Sequence, residues 1–322
     1  MNPKRKAVIE GNEVSRIAVY KLGGYEQTVS LDGKKKDNPI VIFLHGGPGT
    51  PLPFLVGSRG MFPQLTDRVT LVCWDQLGCG INNHRIDDSF TVEQFVGMTI
   101  DLIRAIRQEF PGVPVNLFGV SWGSVLAAEA ASRVPELLDH VIIYGQVIQN
   151  LTFNDEVYDA LERSAMSAAK KKRLARIRGE KEHSVEDMKH VMGWIRKYTE
   201  GYYSKTGGKM PIGALLLGLL GSPDYSLKDI VATMANGYAK NDSLMGELMR
   251  IDLTDAIGSV KIPYLMMQGG TDIVTSTKTA TELAASCANE NLHLKVFENI
   301  GHMPGQKAMD RIVEEVATFL GC

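Results

Sequence analysis

Val113-Pro114-Val115-Asn116-Leu117-Phe118 runs into Gly119-Val120-Ser121-Trp122-Gly123-Ser124 and then into the small-residue run Val125–Ala131. The apolar run predicts a buried strand and the small-residue run a helix, with a glycine-flanked serine at the junction. Glycine on either side lets strand and helix cross closely. The serine is then held on a tight, strained turn with its hydroxyl clear of the backbone. That layout is a nucleophile elbow. The pentapeptide G-x-S-x-G is made of common residues, so the strand–helix setting gives it its weight.

A serine hydroxyl is a poor nucleophile at neutral pH. It needs a base, and the base needs a group to orient it. After an elbow of this kind the partners follow in the order acid, then histidine, each in the loop beyond a late strand. Ile262–Gln268 is a late apolar run ending in Gly269-Gly270-Thr271-Asp272, which sets Asp272 at a strand's carboxyl end. Leu292–Phe297 alternates as a final strand, and Gly301-His302-Met303-Pro304 follows it. Of the seven histidines, His302 alone stands in the required place. An oxyanion hole is needed as well, and losing one of its donors costs ~3–4 kcal/mol of transition-state stabilisation. The N–H of Trp122, next after the serine, is one donor. The other comes from the loop after the third strand, Ile40–Leu44, where His45-Gly46-Gly47-Pro48-Gly49-Thr50 offers the N–H of Gly46 or Gly47. His45, Asp75 and Gln76 read as structural support for that loop.

His45-Gly46-Gly47-Pro48-Gly49, Trp74-Asp75-Gln76-Leu77-Gly78-Cys79-Gly80, Gly-Val-Ser-Trp-Gly-Ser, Gly-Gly-Thr-Asp and Gly-His-Met-Pro together resemble the proline iminopeptidase branch of the α/β-hydrolases. The resemblance spans about residues 38–148 and 260–320. It implies Ser121, Asp272 and His302 as the catalytic triad, and Gly47 with Trp122 as the oxyanion hole. Departures concern the substrate. Leu77 stands where that family usually has arginine, and Ile273 where some members carry an acid. The family's tryptophan-rich cap segment with its glutamate is missing, Trp194 being the one tryptophan of the cap.

Strands at Arg16–Lys21, Glu26–Leu31, Ile40–Leu44, Val69–Trp74, Val113–Phe118, Leu137–Tyr144, Ile262–Gln268 and Leu292–Phe297 alternate with helices over both flanks of the chain. One of these helices opens at Thr91 with a capping-box pattern, Gln94 standing three residues on. The expected fold class is therefore α/β: an α/β-hydrolase core of residues 1–145 and 256–322 around a mostly parallel eight-stranded sheet. Between 146 and 255 the alternation stops. Helical patterns at Asp155–Arg178, Val185–Tyr203, Ile212–Leu220 and Ser226–Arg250 predict an inserted helical cap that roofs the site.

A net charge of −2 argues against nucleic acid or an anionic membrane as partner, and the basic run Lys170–Arg173 reads as a solvated helix face. The charged amino terminus lacks the apolar core of a signal peptide. Ile212–Gly221 is half the length that spans a bilayer. Cys73, Cys79, Cys287 and Cys322 form no C-x-x-C pair, so a reducing, cytoplasmic setting is expected. No metal or cofactor is implied, and the oligomeric state is not readable.

The leading reading is a serine hydrolase working through an acyl-enzyme, with an aminopeptidase on short peptides or amino-acid amides placed ahead of a carboxylesterase. A non-catalytic ligand sensor on the same fold is the third reading. An aminopeptidase needs a carboxylate to pair with the substrate's ammonium; an esterase needs only an apolar pocket. Glu162, Glu200, Asp242 and Glu247 are the cap candidates, Glu247 first because Leu244, Leu248 and Ile251 place its helix against the core. Gly46, Gln146 and Glu247 are the expected substrate-binding residues.

Overall fold

The computed structural model describes residues 1–203, 212–234, 238 and 241–322. Its strands are β1 Val14–Leu22, β2 Tyr25–Gly33, β3 Ile40–Leu44, β4 Thr70–Trp74, β5 Val115–Val120, β6 His140–Tyr144, β7 Tyr264–Gly269 and β8 Leu292–Phe297. They form one sheet in the order β1-β2-β4-β3-β5-β6-β7-β8. β2 pairs antiparallel with both β1 and β4, and the remaining neighbours are parallel.

The described helices are α1 Pro3–Gly11, α2 Pro63–Thr66, α3 Val92–Glu109, α4 Trp122–Arg133, α5 Asp155–Arg163, α6 Ala168–Gly179, α7 Val185–Tyr198, α8 Ile212–Leu220, α9 Leu227–Met234, α10 Asp242–Met249, α11 Thr254–Gly258, α12 Thr277–Ser286 and α13 Gln306–Leu320. Strands of a parallel sheet covered on both faces read as unbroken apolar runs. β3, Ile-Val-Ile-Phe-Leu, is such a run, and every residue in it is buried. Alternate side chains go to opposite faces. Ile42 and Leu44 join the core with Phe95, Leu102 and Val125 of α3 and α4, whereas Val41 and Phe43 join Ile312 and Val316 of α13.

Register aligns the carboxyl ends of five strands. Leu44 pairs with Gly119, Val120 with Tyr144, Tyr144 with Met267 and Gly269 with Phe297. The loops after β3, β5, β6, β7 and β8 therefore leave the sheet along one edge, where open α/β sheets bind ligands.

Between β6 and β7 the described chain is helical. Val157, Leu161, Leu174, Ile177, Val191 and Ile195 build a separate core there, and it takes in Val274 from the loop after β7. The helical layer is thus packed onto the loop that carries Asp272. Three helical details differ from the sequence reading. The helix expected over Val185–Tyr203 ends at Tyr198, where Thr199 turns extended with its N–H on Ile195 O. Asp155–Arg178 is two helices, because Ser164 turns back to bond Leu161 O through its Oγ and the backbone is extended at Ser164 and again at Ser167, where α6 begins. Part of Ser226–Arg250 lies outside the described residues, and the described part forms α9 and α10. The charged amino terminus folds as α1, capped by Asn2 and tied down by buried Arg5, which donates to the carbonyls of Gly57, Arg59 and Gly218. Among the described residues no helix is long and apolar enough to cross a membrane.

Candidate active site

Ser121 sits between β5 and α4 with φ +51° and ψ −116°, a left-handed conformation that costs a non-glycine residue about 1–3 kcal/mol. Its neighbours explain why the turn holds. A Cβ on Gly123 would lie 1.9 Å from Leu44 O, and one on Gly119 would lie 2.7 Å from Gly123 O. The two glycines permit the crossing of β5, α4 and the end of β3 that forces the serine outward.

His302, Asp272 and Ser121 form a continuous hydrogen-bonded chain. His302 Nε2 is 3.0 Å from Ser121 Oγ, and His302 Nδ1 is 2.8 Å from Asp272 Oδ2. The other carboxylate oxygen, Oδ1, accepts the backbone N–H groups of Val274 and Thr275 at 2.8 and 3.1 Å. Thr275 Oγ1 donates to Oδ2 at 2.8 Å. Asp272 is buried, and this set of donors offsets the cost of taking its carboxyl oxygens out of water. The imidazole is fixed from behind as well. Tyr144 OH donates to Gly301 O at 2.8 Å, and the N–H groups of His302 and Met303 bond the carbonyls of Gly201 and Tyr202 beyond α7.

On the other side of Ser121 runs the loop after β3. A Cβ on Gly46 would stand 3.4 Å from Ser121 Cβ, and Gly47 has φ +116°. Trp122 opens α4, where the first N–H groups have no intrahelical acceptor and the helix dipole is positive. A buried network braces these donors. The Trp122 indole N–H donates to Gln76 Oε1 at 2.8 Å, Gln76 Nε2 to His45 O at 3.3 Å, and Gln76 N to His45 Nε2 at 3.0 Å. Because Nε2 of His45 accepts, its proton is on Nδ1, which donates to Gly46 O at 3.0 Å. Burial pushes the His45 pKa down to about 4, so the ring is neutral at physiological pH. Asp75 accepts from Val56 N, Ile81 N and the Tyr225 hydroxyl, and burial raises its pKa to about 6.

Ser121 and His302 open onto a cavity of about 340 Å³, within the usual range of small-molecule sites. Its walls are mainly apolar, Met188 and Met192 of α7, Met245 and Leu248 of α10 and Met303 among them. Gly46 and Gly47 line it beside the serine. Gln146 does not. It is fully buried, with Oε1 accepting from Tyr264 OH at 2.6 Å and Nε2 donating to Val147 O at 2.7 Å, so it joins strands behind the site.

Glu247 is not in the cavity either. Its Oε2 accepts the Val92 N–H at 2.8 Å, capping α3 at the end where a helix favours negative charge. Glu162 pairs with Arg178 and Asp242 with Lys189, while the carbonyl of exposed Glu200 accepts from Thr271. None of these four acids lines the cavity, and the residues outside the description include no Asp or Glu. Among the described residues the charged side chains at the cavity are cationic, Lys189 and Arg196. The Ile212–Leu220 run packs Leu215 and Leu219 on Leu55 instead of lining the Ser121 cavity.

Sequence reasoning missed Thr275, whose place three residues after an aspartate is a turn signal for such a contact. It also missed Arg196 and Tyr202, for which helical periodicity offers no signal. Thr152 is a third omission. It lines the cavity at φ +63°, an outlier for a β-branched residue, and its buried hydroxyl has no protein partner.

A family model described as the α/β-hydrolase fold matches residues 39–305. The chain is 25% identical over 311 residues to a probable aminopeptidase, YbaC, of Bacillus subtilis (strain 168), covering 94% of each chain. It is 23% identical over 316 residues to a proline iminopeptidase of Lactobacillus helveticus, covering 92% of this chain and 95% of the relative. Among solved structures, a proline iminopeptidase of Mycobacterium smegmatis has a TM-score of 0.65 at 19% identity, over 95% of this chain and 98% of its own. That last likeness is one of fold.

Proposed function

The chain belongs to the α/β-hydrolase family and is a hydrolase resembling its proline iminopeptidase branch, and we infer that it works through Ser121 by a covalent acyl-enzyme. The observation that carries this reading is the chain of contacts from Ser121 Oγ to His302 Nε2 at 3.0 Å and from His302 Nδ1 to Asp272 Oδ2 at 2.8 Å. In the first half-reaction Ser121 Oγ attacks the substrate carbonyl carbon while His302 Nε2 takes its proton. Negative charge gathers on the carbonyl oxygen and is met by the N–H groups of Gly47 and Trp122. His302 then gives the proton to the leaving group, and the carbonyl–leaving-group bond breaks. In the second half-reaction water attacks the acyl-enzyme with His302 again as base, and the acid departs. Asp272 stays ionised and holds the imidazolium.

The helical insert, residues 146–255, is the specificity cap in this reading, since Met188, Met192, Met245 and Leu248 supply apolar wall. That wall favours an ester with an apolar acyl portion. The relatives' names point instead to an aminopeptidase, which needs a carboxylate that no described cavity residue supplies. Buried, unpaired Cys73 and Cys79 support a reducing, cytoplasmic setting. A panel of aryl esters and aminoacyl arylamides, run beside fluorophosphonate labelling, tests the reading. Labelling at Ser121 with ester turnover is expected. Failure of the folded protein to label would favour a non-catalytic sensor, and preferential cleavage of free-amine arylamides would restore the aminopeptidase.

A further inference from the structure

Arg196 is the cation to explain. It lies on the face of α7 that also turns Met188, Met192 and Gly193 to the cavity. Its guanidinium carbon is 4.4 Å from the centre of the Tyr202 ring, and Nη2 donates to the Tyr202 hydroxyl at 3.2 Å. Tyr202 in turn lies against His302, with ring centres 5.5 Å apart. Guanidinium, phenol ring and imidazole are thus in successive contact, and these two separations cap the distance from guanidinium carbon to imidazole centre at 9.9 Å.

Arg173, Arg176 and Arg178 on the neighbouring helix each reach carboxylates within 3.5 Å. No described carboxylate is within ion-pair distance of Arg196, and the undescribed residues contain none. The guanidinium is therefore held in place by stacking and one hydrogen bond, with most of its donors turned to no acid. Planar, fixed and always charged, it is a fork matched to a carboxylate. Lys189, two helical turns before it on the same face, adds positive field, though it shares its charge with Asp242 at 3.3 Å.

We propose that the substrate carries a carboxylate, bound by Arg196 at the cavity mouth several bonds from the scissile carbonyl. The substrate class is a half-ester or half-amide of a dicarboxylic acid, or a similar ω-carboxylated acyl compound. Its methylene spacer lies along Met188 and Met192, and its carbonyl stands over Ser121. This rests on the acyl-enzyme reading and reverses the charge that an aminopeptidase site would select. The buried Thr152 hydroxyl, unpartnered and on the same cavity, is a further polar group of the kind such a substrate engages.

The test compares the para-nitrophenyl half-ester of adipic acid with para-nitrophenyl hexanoate, which has the same length and no charge. Wild type should favour the half-ester by about tenfold in kcat/KM, the scale of one charge-assisted contact at a partly exposed site. The preference should lie in KM and weaken as salt is raised. Arg196→Gln should collapse the ratio toward one, and Arg196→Lys should restore part of it. Equal or better cleavage of the hexanoate by wild type would overturn the proposal. So would an Arg196→Gln variant that lowers both esters alike, since that is what a merely structural role through Tyr202 gives. A wild type that turns over neither ester yet labels with fluorophosphonate at Ser121 overturns this proposal alone, whereas a folded wild type that does not label overturns the acyl-enzyme reading and takes the proposal with it.

Discussion

Replacing Asp272 by asparagine is the smallest change that should stop the reaction without disturbing the fold. The two carboxylate oxygens do different jobs. Oδ1 accepts two backbone N–H groups, from Val274 and Thr275, at 2.8 and 3.1 Å. Oδ2 accepts from Thr275 Oγ1 and faces His302 Nδ1, both at 2.8 Å. Asparagine has one carbonyl oxygen, and the backbone donors, which cannot rotate, claim it. The new NH₂ group then faces His302 Nδ1, which must become an acceptor. The imidazole proton moves to Nε2, the atom 3.0 Å from Ser121 Oγ, and a protonated Nε2 cannot take the serine's proton. A wrong tautomer of this kind costs ~10⁴ in kcat, or about 5 kcal/mol of barrier. The side chain keeps its shape, and the Thr275 hydroxyl can turn to accept, so stability should change little. Steady-state turnover of an aryl ester, with far-UV circular dichroism as the folding control, reads both halves. Asp272→Ala, which imposes no tautomer, should retain more activity than Asp272→Asn. A folded Asp272→Asn protein within tenfold of wild type would refute the reasoning.

Gly123→Ala should destabilise the protein by at least the ~1–3 kcal/mol typical of overpacking, because the new Cβ would meet backbone Leu44 O at 1.9 Å; an unchanged urea midpoint would contradict this. Gln76→Leu strips the Trp122 indole of its acceptor and should cost about 1–3 kcal/mol in urea unfolding together with a fall in kcat. His45 has a folded pKa of about 4 against 6.5 unfolded, so between those values the unfolded chain binds a proton that the native state refuses. Its contribution to stability is complete above 6.5 and is lost as pH falls toward 4, up to about 3 kcal/mol. The His45 Cε1 proton resonance should therefore stay constant from about pH 8 to about pH 5.5, and a midpoint near the ordinary histidine value would count against it.

Ser121, Asp272 and His302 were legible because each stands just beyond a strand whose apolar run is self-evident. Parallel pairing then brings those strand ends to one edge whatever lies between. The glycines of the elbow were legible for a steric reason, since a Cβ on Gly123 would meet Leu44 O and one on Gly119 would meet Gly123 O. Glu247 was not. Leu244 and Leu248 rightly announce a buried helix face, but periodicity says nothing of what that face meets, and the Val92 N–H claimed the acid. Gln146 failed likewise: its place after β6 is correct, but the hydroxyl of Tyr264 and the carbonyl of Val147 take its side chain. The break between α5 and α6 was hidden because serine backbone bonding competes with helix continuation only locally. Arg196 and Tyr202 became visible only when the turn after α7 was seen to pin the His302 loop.

The most direct measurement is to quench the enzyme with acid within its first turnovers of a para-nitrophenyl ester and weigh the intact protein. Wild type should gain the mass of one acyl group, mapped by proteolysis to the peptide bearing Ser121. Ser121→Ala should gain none, and His302→Ala should acylate slowly if at all. Ester turnover with no adduct, or with the acyl group on a residue other than Ser121, would contradict the account.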